Sequence, residues 1–491
     1  MALPNDMRKS TNDHSTARTA LGAAIVVATF LASPTPSAWA QAGAGDKPAG
    51  PAEGSSPSGA ASNGEKPSGE KGGAASTEAG AAAPGAEGKP SAPKPAAGPA
   101  AKGETKASGD AVQSAAGETK AEGAEGAGAS WLDKVHLDLG PITLTPIVLV
   151  GVQVAPYTGA DSLIQSGDVA ERPGFRLRRA RLGLGGAYED LARFAVSMQV
   201  AADGDGAKVG LQDAWAGYTQ FSFLRAYVGA RSVPFSRSAL VDSGYGALIE
   251  RPLVVRAMAP FHQLGAELDG DPWDGAFGYS AGVYNGFQRS DQFYGGYNED
   301  FAPLGNRFDG LAVAARLRSE PLGRLGPTMA DEEQGPFRFG VGASYFYSHS
   351  GARNLHSAGG DALMKVAGFH LLAEALWSLS LPVAQPTVPT TGLEQVTSFG
   401  LVAEAGYMIL PNALGLAARF EWIDPNTNTD DEGDNWLLTA GAGYELFERL
   451  LKIQAEYSHR EELHGLSLAN DSVMVQFQLL LDPSKHSEES L

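Results

Sequence analysis

The 491-residue sequence contains no cysteine, which excludes disulfide bonds, thiolate metal sites and catalytic thiols. Basic residues are in the minority, since 37 Lys and Arg stand against 56 Asp and Glu, for a formal net charge of −19. Because nucleic-acid binding needs a broad basic face, this balance argues against a nucleic-acid partner. After the N-terminal region no run of about 18 apolar residues occurs, so no membrane-spanning helix is expected.

The first 40 residues have the layout of an export signal. Arg8, Lys9 and Arg18 precede the apolar run LGAAIVVATFLA at 21–32. The sequence SAWA at 37–40 then supplies the small residues at which signal peptidase cuts. The apolar run is shorter than the roughly 20 residues that a spanning helix needs. We therefore expect a signal peptide over 1–40, with an uncleaved anchor helix as the alternative.

Residues 41–130 contain no aromatic residue and almost no large aliphatic one; Ala, Gly, Pro, Ser, Glu and Lys make up nearly all of the segment. Such a composition cannot bury enough apolar surface to offset the conformational entropy lost on folding. We expect a disordered, part-extended Ala/Gly/Pro-rich tether.

From Trp131 onward, apolar residues alternate with small or polar ones in many stretches. Examples are FAVSMQVAA at 194–202, LRAYVGAR at 224–231 and VMVQFQLLL at 473–481. A period of two predicts β-strands with one apolar face. That face belongs either to the core of a soluble sandwich or to the lipid-facing surface of a transmembrane barrel. The export signal, the aromatics beside apolar stretches and the alternation of short and long connections favour the barrel.

We predict an all-β fold, a 16-stranded antiparallel transmembrane β-barrel within 131–481, followed by a C-terminal tail at 482–491. The stretch 361–380 is divided at Ala367–Gly368, because a single strand there would give an odd count. Eighteen strands are the alternative. The predicted strands are 142–154, 175–186, 193–201, 208–220, 223–231, 262–269, 276–286, 308–318, 337–348, the two halves of 361–380, 398–410, 414–423, 435–446, 450–459 and 471–481.

The longest predicted outer loop, 232–261, carries apolar residues that water does not favour, so we expect it to fold into the barrel lumen and narrow it. Basic residues concentrate around it: 172–256 holds 12 Lys and Arg against 7 Asp and Glu, whereas 257–491 holds 13 against 31. Charged groups that line a constriction select ions by sign, so this region predicts an anion-selective pore. The candidate pore-lining residues, five on three neighbouring strands and three in the loop, are Arg179, Arg181, Arg193, Arg225, Arg231, Arg237, Arg251 and Arg256.

An alternative exists for the eight candidate arginines. They could pair with inward acids such as Glu267, Glu404, Glu421 and Glu456, and select nothing. In addition, Arg176 and Arg178 share a parity with Leu182 and Leu184. This parity predicts that both arginines lie on the outward face, at the outer end of the strand, where they would contact lipopolysaccharide phosphates.

Several segments resemble the phosphate-selective porin O and P family of outer-membrane channels. They are FRLRRARLGLGGAYEDLARFAVSMQ, LQDAWAGY, VGARSVPFSRSAL, IERP, GYSAGVYNGF, LLAEAL and AARFEWIDPN, in the expected order over roughly 135–481. The resemblance implies a 16-stranded, trimeric channel in the outer membrane of a Gram-negative bacterium, with the third outer loop as its constriction. It also implies membrane lipid and lipopolysaccharide as surroundings, and small anions such as phosphate as solutes.

The sequence departs from the family pattern in two places. Phosphate-specific members carry lysine clusters at the pore, whereas Lys208 is the only lysine between 135 and 364. The last strand also lacks a final aromatic residue, so Phe477 is the candidate assembly signal. The expected function is passive diffusion of small anions, including phosphate or other oxyanions; the alternative is a structural outer-membrane anchor whose tether reaches a periplasmic partner.

Catalysis, cofactors and metals are not expected. The histidines are scattered, and the sequence has no HExxH, CxxC or GxSxG motif. The acidic stretch NTNTDDEGDN at 426–435 offers carboxylates and amides that Ca²⁺ prefers, but it lacks the spacing of an EF-hand loop. We interpret it as a solvated outer loop.

Overall fold

The computed structural model describes residues 134–162, 168–170, 172–203, 206–273, 275–286, 310–350, 353–383 and 394–482. The predicted signal peptide, the tether and all but Asp482 of the C-terminal tail lie outside these ranges. Within them, no helix is long and apolar enough to cross a membrane.

The described residues form one antiparallel sheet that closes on itself. A short strand, β1 (Leu137–Leu139), pairs only with the start of β2. The next sixteen strands each pair with their neighbours in sequence, and β17 pairs with β2 to complete the barrel. They are β2 (Ile142–Thr158), β3 (Gly174–Tyr188), β4 (Ala192–Asp203), β5 (Gly206–Phe221), β6 (Leu224–Ser232), β7 (His262–Gly270), β8 (Phe277–Asn285), β9 (Leu311–Ser319), β10 (Arg338–Ser350), β11 (Arg353–Val366), β12 (Phe369–Pro382), β13 (Val396–Leu410), β14 (Leu414–Asp424), β15 (Asn435–Leu446), β16 (Leu451–Glu462) and β17 (Ser472–Leu481).

The prediction of sixteen strands is confirmed, including the division of 361–380. The turn between β11 and β12 is made by Ala367 and Gly368, whose φ angles are 48° and 89°. Positive φ at both central residues is the geometry of a type I′ hairpin turn, which matches the twist of the flanking strands. Short turns of this kind cluster at the end of the barrel where β2 begins and β17 ends. By the rule for these barrels, this is the periplasmic end.

The outside of the barrel is apolar. Leu182, Leu184, Val196, Met198 and Val228 are each at least half exposed on the outward face of their strands. A row of exposed aromatics encircles the periplasmic end: Tyr188, Tyr218, Phe223, Trp273, Phe337, Tyr407, Tyr444 and Phe447. An apolar band bordered by an aromatic girdle is the surface that lipid requires, so the sandwich alternative is excluded.

The connection between β6 and β7 folds into the lumen, as the sequence predicted. It contains α1 (Arg237–Leu240), a 3₁₀ helix (Ser243–Tyr245) and α2 (Leu253–Met258). Its apolar side chains, among them Phe235, Val254 and Met258, are buried against the inner wall of β8–β10 and β12–β14. On β13 the wall has Gly400 at the contact, where a Cβ atom would lie 2.5 Å from Val254. We call residues 233–261 the lumen loop.

A second segment enters the lumen from the opposite end, and no sequence pattern predicted it. Residues 320–337 connect β9 to β10 at the periplasmic end, and Leu325 and Met329 in this segment are buried against Leu363 and Leu372 on the inner wall. The Lys365 ammonium donates to the carbonyl oxygens of Leu325 and Thr328, at 2.6 and 2.8 Å. We call residues 320–337 the periplasmic strap.

The lumen loop and the periplasmic strap meet inside the barrel. Val241 of the lumen loop packs against the apolar cluster that holds Leu325 and Met329 of the strap. The lumen is therefore narrowed from both ends, by two segments that touch on the side of β11 and β12.

Candidate functional site

A β-bulge turns four neighbouring arginines of β3 toward the lumen. Against β2, Arg179 pairs with Gly151 and Leu177 pairs with Val152, so Arg178 is the extra residue and the alternation shifts by one. Arg176 and Arg178 consequently share the inner face with Arg179 and Arg181, while Phe175 and Leu177 face outward. The prediction that Arg176 and Arg178 lie on the outward face was wrong, because period-two counting cannot register an inserted residue.

Three of these arginines surround one carboxylate of the lumen loop. Glu250 lies 3.0 Å from Arg178 Nε, 3.3 Å from Arg176 Nη2 and 3.5 Å from Arg179 Nη2. Arg256 of the loop adds its charge to the same group. Burial disfavours the ionised form of Glu250, but the arginines outweigh it and hold the pKa of this carboxyl well below its usual range. Within the described part of the chain, four arginines thus surround the Glu250 carboxylate; we call these five residues the Glu250 cluster.

The next arginine inward anchors the lumen loop. Arg181 is buried at 4% exposure and donates to the Asp242 carboxylate and to Gln199. Burial opposes ionisation of Asp242, yet the Arg181 guanidinium and the Gly244 N–H hold the pKa of this carboxyl below its usual range. Because Arg179 and Arg181 are buried beneath the loop, they serve to hold it in place.

Arg225 and Arg231 on β6 point inward as predicted, and both face acids on β7. Arg225 contacts Asp269 at 2.5 Å and Asp271 at 2.6 Å. Arg231 lies 3.6 Å from Glu267, and its guanidinium is 3.9 Å from the centroid of the Tyr227 ring. Their side chains keep 22% and 24% exposure, so neither is fully buried.

The remaining candidates occupy separate positions. Arg237 in α1 contacts Asp361 at 2.7 Å and Glu320 of the strap at 3.4 Å. Arg251 donates to the Val241 carbonyl oxygen and lies over the Phe261 ring. Arg193 is the second residue of β4, near the periplasmic end. It lies on the same face of the strand as the inward-facing Ala195, and the strand register places it far from the Glu250 cluster. The eight candidates therefore do not form one ring.

The inner wall formed by β12, β14 and β16 is acidic, and its glutamates hold the loop backbone. Glu421 accepts from Val254 N at 3.1 Å, and Glu456 accepts from Ile249 N at 2.9 Å. Glu374 accepts from the Ser238 hydroxyl at 2.6 Å. The sequence predicted that Glu421 and Glu456 face inward, but it indicated only arginines as their partners. Their backbone partners lie more than 150 residues away, so no sequence spacing connects them.

One inner cluster contains a serine, a histidine and an aspartate, the residue types of a nucleophilic triad. Ser232 Oγ lies 3.1 Å from His262 Nε2, and Asp213 Oδ1 lies 3.4 Å from that same nitrogen. A triad needs the serine and the carboxylate on different imidazole nitrogens, so that one nitrogen takes the proton while the other is oriented. This geometry does not provide it.

A closed barrel with a lipid-facing exterior, a charged interior and an infolded loop defines a membrane channel of the porin type. The sequence model of the phosphate-selective porin O and P family matches residues 156–479. The chain belongs to this family, and it is an outer-membrane protein of the Gram-negative type. Family and fold both indicate a channel rather than an enzyme.

Solved structures of outer-membrane proteins match this chain at low sequence identity. The outer-membrane channel DcaP of Acinetobacter baumannii is 12% identical, with a TM-score of 0.49 over 70% of this chain and 98% of that one. An anion-selective porin from Comamonas acidovorans is 13% identical, with a TM-score of 0.44 over 69% and 99%. A trimer form of OmpT from Vibrio cholerae is 11% identical, with a TM-score of 0.45 over 70% and 100%. Among curated proteins, no sequence matches this chain.

Proposed function

We propose that this porin conducts small anions by passive diffusion and that the Glu250 cluster sets its preference for negative charge. The observation that carries the proposal is the excess of guanidinium groups there. Arg176 and Arg178 contact one shared carboxylate and retain 30% and 12% side-chain exposure. Several guanidinium groups gathered around one carboxylate between low-dielectric walls lower the barrier for anions and raise it for cations.

This proposal assigns part of the charge selectivity to Arg176 and Arg178, which were not among the candidate residues that the sequence suggested. Arg179 and Arg181 are buried and hold the lumen loop, whereas Arg176 and Arg178 present charge closer to the open lumen. Arg225 and Arg231 remain candidates nearer the periplasmic end, because both are partly exposed. Guanidinium groups bind oxyanions in bidentate fashion, so phosphate and similar oxyanions are the proposed solutes.

The lumen is narrowed from both ends, which supports the passage of small solutes only. The lumen loop and the periplasmic strap meet at Val241, so a solute has to pass beside both segments. This arrangement argues for a size limit set by two independent elements.

The reversal potential of the purified channel in a planar bilayer under a KCl gradient tests the proposal. We expect a preference for Cl⁻ that decreases several-fold in the Arg176→Gln, Arg178→Gln double variant. Glu250→Gln removes the one acid of the cluster and should change the ratio in the opposite direction. Arg324→Gln is the matched control, since this exposed residue of the strap lies at the other end of the barrel. Cation preference in the unmodified protein would contradict the proposal.

Phosphate is tested in the same bilayer. We expect added phosphate to reduce the chloride current more in the unmodified channel than in the double variant. Equal reduction in both would remove the Glu250 cluster as an oxyanion site while leaving general anion selectivity in place.

We also propose a homotrimer surrounded by outer-membrane lipid, as the family resemblance implies. The exposed apolar band supports lipid contact. The inward position of Arg176 and Arg178 removes the reason for expecting these two residues to bind lipopolysaccharide. Native mass spectrometry of the detergent-solubilised protein measures the subunit number directly, and a monomer there would contradict the trimer.

A further inference from the structure

Two loops at the outer end bring metal-ligating side chains together. Asp430 and Asp434 belong to the connection between β14 and β15, and His464 belongs to the connection between β16 and β17. Each residue offers one ligand atom, and these three atoms all lie within 4.8 Å of one another. Two ligands of one small cation lie at most about 4.4 Å apart, because bonds to nitrogen and oxygen are about 2.0–2.2 Å long, so a modest movement of the side chains would let these three atoms share one ion.

The central residue of this group has an unsatisfied, buried carboxylate oxygen. Asp434 is 5% exposed. Among the described residues no donor reaches its Oδ1 atom, while its Oδ2 accepts a long bond of 3.3 Å from Asp431 N. Buried polar atoms without a partner are rare, and a buried charge without compensation is costly. Within the described part of the chain, the Asp434 Oδ1 atom is therefore left without a partner.

The surroundings add negative charge. The Asp424 carboxyl, at the end of β14, lies within hydrogen-bonding reach of the Asp434 carboxyl. Two carboxylates in contact require a proton or a cation between them. A cation at the position shared by Asp430, Asp434 and His464 would supply that charge.

The backbone around the group is held independently of any metal. Leu463 N donates to the Asp434 carbonyl oxygen at 2.7 Å, which ties the two loops together one residue before His464. Asp434 N donates to the Asp431 carbonyl oxygen at 3.1 Å, and Gly433 N donates to Asp431 Oδ1 at 2.7 Å. The ligands are thus presented from two hairpins whose relative position is already set.

We propose that Asp430, Asp434 and His464 form a binding site for a divalent transition-metal ion, with Zn²⁺ as the ion that fits best. An imidazole nitrogen among the ligands favours Zn²⁺ and similar metals over Ca²⁺ and Mg²⁺, which prefer oxygen alone. Three protein ligands leave one position of a tetrahedral ion for water or for Asp424. The bound ion crosslinks the β14–β15 and β16–β17 hairpins at the outer end, and the proposal does not depend on which solute the channel conducts.

Calorimetric titration of the metal-stripped, detergent-solubilised full chain with ZnCl₂ tests the site. We expect a saturable site that Asp434→Asn and His464→Ala each weaken by about tenfold or more, the scale seen when groups around a bound metal are removed. Glu461→Gln is the control, since it neutralises an exposed carboxylate near the cluster that offers no ligand. Heat-modifiable migration on a gel confirms that each variant is folded.

Two results would overturn the proposal. One is Zn²⁺ affinity that is equal in the unmodified protein, Asp434→Asn and His464→Ala. The other is saturable CaCl₂ binding that His464→Ala leaves unchanged in a protein that does not bind Zn²⁺, because the imidazole would then have no part in the site.

Discussion

The arginines of this channel differ in what their charge does. Arg181 and Arg237 are each matched by acids and are buried or nearly so. These ion pairs hold the lumen loop in place, which agrees with the alternative that the arginines pair with inward acids. The Glu250 cluster differs, because one carboxylate faces four guanidinium groups. Selectivity is therefore expected from a local excess of charge and not from the number of arginines in the lumen.

A single carboxyl of the periplasmic strap is expected to make the strap sensitive to pH. Burial, together with the nearby Glu445 carboxylate, raises the pKa of Glu332 to about 7, although Arg449 contacts the same group and opposes the change. The unfolded pKa of a glutamate is near 4.3. The folded state then binds the proton more tightly, so this contribution to stability is present at acid pH and is lost as the pH rises through about 7.

Hydrogen–deuterium exchange, corrected for intrinsic rates, measures this prediction. We expect residues 320–337 to be more protected at pH 5.5 than at pH 8, and Glu332→Gln to remove most of the difference. Glu333→Gln is the neighbouring control. Protection that rises with pH in the unmodified protein would show that pairing with Arg449 dominates instead.

At the scale of elements, the strands and the two infolded segments are stabilised differently. Each of the sixteen barrel strands pairs with a strand on either side, and β6 pairs directly with β7 from Ser232–His262 to Arg225–Asp269. The lumen loop is held by apolar packing and by wall glutamates that accept from its backbone. The barrel therefore does not need the loop in order to close.

Replacing residues 237–258 by a short Gly/Ser linker is expected to leave the barrel folded and to raise single-channel conductance several-fold. Phe235→Ala is the milder change. It removes a ring that is 1% exposed against Phe346 and should weaken loop docking by about 3 kcal/mol, seen as noisier current. Planar-bilayer recording measures both variants. Unchanged conductance after loop replacement would mean that the periplasmic strap alone limits the current.

At the scale of the whole molecule, the barrel is self-contained within the described residues. β17 closes onto β2, and β1 pairs with β2 on the edge that β17 leaves free. Every pairing of this closure lies within the described residues. The predicted tether is therefore expected to contribute nothing to channel formation, and its role remains a prediction outside the described residues.

Deleting residues 41–130 tests that separation. We expect the shortened protein to keep heat-modifiable migration, conductance and reversal potential, because every pairing of the barrel is retained. Cells that lose envelope integrity while transport persists would favour the anchor function for the tether. Loss of conductance in the purified protein would contradict the separation.

Much of the fold was predictable because a membrane barrel is dictated by local periodicity. Alternation at 194–202 or 473–481 needs no distant partner to be recognised, and positive φ at Ala367 and Gly368 follows from a short hairpin. The candidate site was less predictable. The bulge at Arg178 depends on the register of β3 against β2, so it cannot be predicted from the sequence of β3 alone.

The sequence by itself determined the class of barrel, its strand number, the infolding of 233–261 and the basic character of one part of the lumen. Each of these depends on composition or on spacing along a continuous stretch. Only the tertiary structure decided which arginines face the lumen, which acid each one meets, and that 320–337 enters from the periplasmic end. These depend on contacts between residues distant in sequence, whose energies are set by burial and geometry that no local pattern encodes.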